Sequence, residues 1–371
     1  MLSKKLLKLS AALLAAAFLP AVASASQQTN AVYALTNTAA DNRVMIFERD
    51  ASGHLQPAGA VPTGGAGTGG GLGSQGALAL AENDRWLLAV NAGSDQISVF
   101  STKGNGLTLT DKVWSHGHRP ISVTTSANLV YVLNAGGGFG GQDSISGFYL
   151  TKEGHLIALP GSTQALSAAN VGPAQVSFAP SGDYLVVTEK GTNRVDTFWV
   201  NDEGVAGAVH SAPAAGVTPF GFAFTPSGAA IVSEAWGGAP GASTISSYII
   251  GANGWAQAVT AALADTQTAA CWVAVARNGK FAYVANTGSN TVTGVRIAKD
   301  NSISLLEWNG VTASTGLTPI DAAVSDNDRY LYVRTAGDGS ISQYLIEHDG
   351  QLRSLGAISG LPASAVGLVA R

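Results

Sequence analysis

The chain has 371 residues, of which charged side chains make up 12% while glycine alone contributes 46, a balance suited to tight turns and buried strands rather than solvated helices. The formal net charge is -4 and no basic cluster lies in the body of the chain, which excludes nucleic acid and an anionic membrane surface as natural partners. The one cysteine, Cys271, excludes an internal disulfide.

The N-terminus carries Lys4, Lys5 and Lys8, an apolar run from Leu9 to Leu19, and the small-x-small site Ala23-Ser24-Ala25, the three parts of a secretory signal peptide. That run is too short to cross roughly 30 Å of hydrocarbon as a helix, and nothing comparable follows. Residues 1–25 are therefore read as a removed signal, and residues 26–371 as one exported domain, periplasmic or secreted, with no membrane anchor. Loss of the three lysines moves the net charge to -7.

Two alternating segments follow, Ala31–Leu35 and Arg43–Phe47, and then a glycine-rich run from Gly64 to Gly73. A phosphate cradle needs a strand before it and a helix after it; here a strand follows, so the run is read as an interblade loop able to lie over a mouth. From this point one unit recurs, beginning near Gln75, Pro120, Pro173, Pro219, Ala270, Pro319 and Pro362, at intervals of roughly 43 to 53 residues. Val176-Ser177-Phe178-Ala179-Pro180-Ser181-Gly182 and Phe222-Ala223-Phe224-Thr225-Pro226-Ser227-Gly228 show the likeness between copies. Apolar residues alternate with period two within each copy, which excludes a helical solenoid. After Pro362 only Ala363–Ala370 remains, enough for one strand to complete the N-terminal blade. The expected fold is all-β: a seven-bladed β-propeller of four-stranded blades, monomeric, closed where its tail joins its head.

In such a ring the loops leading into the innermost strands, and those joining strands two and three, surround one mouth of the central channel. His54 and His155 fall in hairpins on the other side and are read as turn residues beside Gly53 and Gly154. His118 and Arg119, in His116-Gly117-His118-Arg119-Pro120, lie at the mouth; two histidines one apart in an extended segment face opposite ways, so no metal site is assigned. The ends of the second strands place Asn91, Asn134, Glu189, Glu234, Asn286 and Thr335 in register. Asn is at home in a tight loop, whereas Glu189 and Glu234 depart from the repeat and offer a carboxylate pair for proton transfer or for pairing with Lys190, Arg194 or Arg334. Gln175, Phe220, Trp236, Trp272, Asp321 and Arg334 complete the expected ligand-binding set, with aromatic surface at the mouth. Cys271 has no adjacent histidine and is read as a small apolar residue. No cofactor is indicated.

Tyr283-Val284-Ala285-Asn286-Thr287-Gly288-Ser289-Asn290-Thr291-Val292 and Phe178-Ala179-Pro180-Ser181-Gly182 resemble the lactonase family of seven-bladed propellers, which includes bacterial 6-phosphogluconolactonase and the fungal carboxymuconate-lactonising enzyme, over essentially the whole mature chain. The repeat itself is shared with binding propellers of the YVTN type. The resemblance implies a lactone- or ester-hydrolysing site that includes Glu234. With the residues read above, Glu234 or Glu189 is taken as the base and His118, Arg119 or Arg334 as the source of charge, so that Glu234, Glu189 and His118 are the expected catalytic groups; a non-catalytic binding or scaffold propeller for a small molecule or protein is the other reading. Family enzymes carry a His, an Arg-His pair and a later Arg where this chain has Ala174, Phe220-Gly221 and Thr287; only the family's Glu is matched, by Glu234. The usual cationic half of the site is thus missing, and Phe220 and Trp236 make the pocket apolar instead, which points away from a phosphorylated substrate.

Overall fold

The computed structural model describes residues 30–103 and 106–371, so the signal segment lies outside the described residues. Seven antiparallel sheets follow one another around a ring. Counting from the seam, the innermost strands of blades 1 to 7 are Val366–Ala370, Leu78–Ala81, Pro120–Ser126, Pro173–Phe178, Pro219–Phe224, Ala270–Val275 and Pro319–Val324. Each expected repeat start therefore leads into an inner strand.

The seam forms as the tail of the sequence implies. Val366–Ala370 pairs antiparallel with Ala31–Leu35, Val32 opposite Ala370 and Leu35 opposite Val366, which satisfies both strand edges at once. In blades 3 and 6 the outermost strand is broken into two short pieces, Leu156–Ala158 with Gln164–Ala165 and Ile303–Leu305 with Ala313–Ser314.

Burial departs from simple alternation in the second strands. Trp86–Asn91, Phe281–Asn286 and Tyr330–Thr335 are buried at every position, because neighbouring blades cover both faces of each sheet. Outer strands such as Thr108–Trp114 meet solvent along most of their length, and third strands expose single residues such as Trp199.

Two recurrent devices lock blade to blade. The hairpin glycine of one blade seats a large side chain from the preceding blade: a Cβ on Gly154 would stand 2.3 Å from Trp86, and one on Gly53 2.3 Å from Tyr330. Tyrosines of second strands donate to the same hairpins, Tyr332 to the Gly53 carbonyl and Tyr131 to the Gly204 carbonyl, both at 2.8 Å. His54 and His155 sit beside such glycines as turn residues.

At the mouth, the residue before an inner strand takes a left-handed conformation in five blades: Arg119, Gly172, Thr218, Ala269 and Thr318 all have φ between 55° and 59°. In three of these, an Asx side chain from the preceding blade holds that residue's N–H at 2.7 Å: Asp95 to Arg119, Asn193 to Thr218 and Asn290 to Thr318.

Candidate functional site

The ring of second-strand ends faces away from the channel. Glu234 is fully enclosed in its own blade, taking hydrogen bonds from the Gly216 N–H at 2.8 Å, Ser246 Oγ at 2.7 Å and Thr244 Oγ1 at 2.5 Å. Glu189 is sealed in the same way, by the Ser167 N–H at 3.0 Å, Ser167 Oγ at 2.6 Å and Thr192 Oγ1 at 2.5 Å. Asn91 meets Asn42, Thr63 and Ser98; Asn134 meets Ser115 and Ser146; Asn286 meets Thr291 and Thr293. All five tie the second strand to the third strand beside it or to the crossover arriving from the previous blade. The expectation that they surround a common pocket is corrected by pleat geometry, since successive side chains of a strand point oppositely.

The residue one place earlier looks the other way. Thr188 donates to the Phe220 carbonyl at 2.5 Å and Ser233 to the Cys271 carbonyl at 2.9 Å, each in the following blade. Arg334 occupies this place in blade 7, wholly buried, and its Nη2 donates to the Pro362 carbonyl at 2.8 Å beside the seam. Neither glutamate is paired with Lys190, Arg194 or Arg334 among the described hydrogen bonds and ion pairs. Glu189 instead lies against Asp196, whose carboxyl is pushed up to about 8 by burial and by that neighbour, while hydrogen bonds hold Glu189 below the usual range despite its burial.

A cavity of about 310 Å³ is lined by Gln175, Phe222, Asp321 and Leu368 among others. Gln175 is committed to the wall, exchanging two hydrogen bonds with the Phe222 backbone. Asp321, left-handed at φ 68°, takes the Ala322 N–H at 3.0 Å, and burial pushes its carboxyl up to about 7.

Above this cavity the glycine-rich loop crosses the mouth and inserts Ser74 and Gln75 between the blades. Trp272 Nε1 donates to the Ser74 carbonyl at 3.0 Å, Ser74 Oγ to the Ile121 carbonyl at 2.9 Å, and Gln75 clasps the Val273 backbone at 2.7 and 2.9 Å. Phe220 and Trp272, with rings 4.9 Å apart, are 8% and 6% exposed. The expected aromatic surface is thus a floor under the chain's own loop. Trp236 is 39% exposed at the rim, its Nε1 on Thr244 Oγ1 at 3.0 Å.

The accessible chemistry at the mouth lies between blades 2, 3 and 4. His118 Nδ1 stands 2.8 Å from Asp95 Oδ2, with the imidazole about half exposed. The segment is kinked rather than extended: His116 has φ 59° and turns back onto Trp114, ring centroids 4.6 Å apart, leaving His118 alone at the mouth. The Arg119 guanidinium lies 4.3 Å over the exposed Phe139 ring, and the Lys190 ammonium 4.7 Å over Phe220, donating to the Gly73 carbonyl. Burial, with a further push from Arg119, lowers the Lys190 pKa to about 8. Neither cation forms an ion pair among the described residues.

The sequence places His118 and Arg119 at the mouth and names Lys190 only as a partner for the glutamates; Asp95 was missed. Asp95 occupies the clamp position held by Asn193 and Asn290 elsewhere; the lone Asp in that series was the available signal, since a clamp needs one oxygen and a carboxylate leaves a second.

Comparison with known proteins bears on what this mouth does. The family model described as lactonase, 7-bladed beta-propeller, matches residues 27–138 and 243–366. The chain belongs to that lactonase family. The match passes over residues 139–242, the stretch that holds Glu189, Lys190, Asp196, Phe220 and Trp236. Among solved structures, this lactonase-family chain is similar to a putative 6-phosphogluconolactonase from Bacteroides fragilis, at 18% identity over 94% of this chain and 99% of that one, TM-score 0.68. A second, from Bacteroides uniformis, is 16% identical over 91% and 99%, TM-score 0.72. A protein described as the periplasmic gluconolactonase of Pseudomonas aeruginosa is 16% identical over 91% and 98%, TM-score 0.68. No curated protein matches the sequence. No helix among the described residues is long and apolar enough to cross a membrane.

Proposed function

We propose that this lactonase-family propeller hydrolyses a lactone or related cyclic ester at its mouth, with His118 as general base. The observation that carries this reading is Asp95, which serves two groups: one oxygen takes the Arg119 N–H at 2.7 Å as the repeated clamp, the other meets His118 Nδ1 at 2.8 Å. A carboxylate on Nδ1 fixes the tautomer whose Nε2 accepts a proton.

In the proposed step, Nε2 takes a proton from water as the oxygen adds to the lactone carbonyl. Arg119 and Lys190 supply positive charge for the oxygen that becomes negative. The ring C–O bond then breaks, and the proton on His118 passes to the departing alkoxide, leaving an open-chain hydroxy acid. Family membership supports the reaction class. The sealed carboxylates of Glu189 and Glu234 count against them as the base, because a general base must reach the proton it removes.

Purified protein assayed on a panel of aliphatic lactones should open at least one member faster than a His118→Gln variant, by about a hundredfold. Equal rates would end the assignment. The second reading, a binding propeller without turnover, is favoured by the loop that covers Phe220 and Trp272; it requires saturable binding weakened by Trp236→Ala with no product formed. Export by removal of residues 1–25 is part of the proposal, supported by the signal-peptide pattern, and an intact mass beginning near Ser26 tests it.

A further inference from the structure

The glycine-rich run divides into three parts with different ties. Its first part is stapled to blade 1 by Asn37, which takes the Thr68 N–H at 3.0 Å while its own carbonyl takes the Gly69 N–H at 2.8 Å. Its last part, Ser74-Gln75, is the fixed plug described above, bonded to blades 3, 4 and 6. Between them Gly69, Gly70, Gly71 and Gly73 are exposed, and Cβ atoms built on Gly70 and Gly71 would meet nothing within 4 Å. Asn37 Nδ2 and Thr68 Oγ1 both donate to the Gly70 carbonyl, at 2.5 and 3.1 Å, and the Gly70 N–H reaches Thr68 Oγ1 at 3.4 Å; two further ties hold the rest of this middle part. Leu72 inserts its side chain into the apolar cluster that includes Ile121 and Val171, 7% exposed, and Lys190 donates to the Gly73 carbonyl.

We infer that Gly69–Gly73 is a lid over the mouth, with Leu72 as its stopper and Lys190 as its latch. The hinges are the two fixed ends, and the glycines between them give the backbone the freedom to swing. Latching engages the ammonium, which lies over Phe220, on the chain's own Gly73 carbonyl; opening frees it while Ser74 and Gln75 stay on Trp272 and Val273. The lid governs access to the mouth and stands whether or not the ligand is a lactone.

Cys271 is a built-in reporter. It is the chain's one cysteine, 7% exposed, and close enough to Lys190 for the ammonium to favour its thiolate, although burial pushes the thiol up to about 12. The experiment is the rate at which a neutral maleimide labels Cys271 in the folded full-length chain. Lys190→Met keeps an unbranched stem over Phe220 and removes the latch. Loss of the ammonium by itself would slow labelling, since only the thiolate reacts, so an increase of about tenfold reports opening. Gly70→Ala with Gly71→Ala, which meets no steric obstacle, should stiffen the lid and slow labelling several-fold. Labelling of the Lys190→Met protein at or below the wild-type rate, with an unchanged melting temperature, would overturn the lid. Should Lys190→Met fail to fold, the double alanine variant decides: a labelling rate equal to wild type overturns the proposal. Absence of lactone turnover leaves each of these outcomes readable.

Discussion

Asp95 shows how one side chain serves the fold and the site together. Asn193 and Asn290 perform the clamp with a single amide oxygen, so Asp95→Asn should preserve it: the melting temperature is expected to hold within about 2 °C, surface hydrogen-bond exchanges of this kind being small. The imidazole, however, loses the carboxylate that fixes its tautomer and orientation. Turnover of a responsive lactone should fall roughly a hundredfold, mainly in kcat. Loss of stability in parallel with activity would reduce Asp95 to a structural residue. The contrast with Glu189 and Glu234 is instructive at the same scale. Both are acids standing where other blades carry Asn or Thr, but each is sealed by nearby hydroxyls, Ser167 of the incoming crossover and Thr192 for one, Thr244 and Ser246 for the other. Their charge is accommodated locally and does not reach the mouth.

Blade 4 holds two buried carboxyls close together. Glu189 and Asp196 face one another across its second and third strands, and Asp196 Oδ2 has no donor. Asp196 therefore keeps a proton in the folded chain up to about pH 8, against an ordinary value of 3.8. The folded state then holds one more proton than the unfolded state between these limits, so this group's contribution to stability is fully present below about pH 4 and is lost as pH rises through 8. Glu189, whose folded value is lowered, acts in the opposite sense and is lost only in acid. Asp196→Asn should raise the melting temperature at pH 9 and change it little at pH 5. Thermal unfolding followed at both pH values tests this, and a variant less stable than wild type at pH 9 would refute a proton held on Asp196.

Closure is a property of the whole ring. Val366–Ala370 provides the inner strand of blade 1, and Arg334 from blade 7 reaches Pro362 and Ala363 across the same seam. Deleting residues 361–371 strips blade 1 of its inner strand and leaves the wholly buried Arg334 guanidinium without these acceptors, so cooperative thermal unfolding should disappear. A truncated protein that still melted in one sharp transition would show that the ring closes otherwise. The repeat, its period and the stray C-terminal strand were legible in the sequence because blade spacing and turn chemistry are local properties, written within each copy. His118 and Arg119 were legible for the same reason, the loop leading into an inner strand being recognisable wherever it occurs. The orientation of Glu189 and Glu234 was not, because a pleated strand sends neighbouring side chains to opposite faces and a displacement of one residue exchanges channel for blade interior. The Gly64 to Gly73 run was legible as a loop able to lie over the mouth, but not the bonds of Ser74 and Gln75 to blades 3, 4 and 6, nor the meeting of Asp95 with His118. Those contacts join separate blades, and only the packing of the ring decides which loops share a rim.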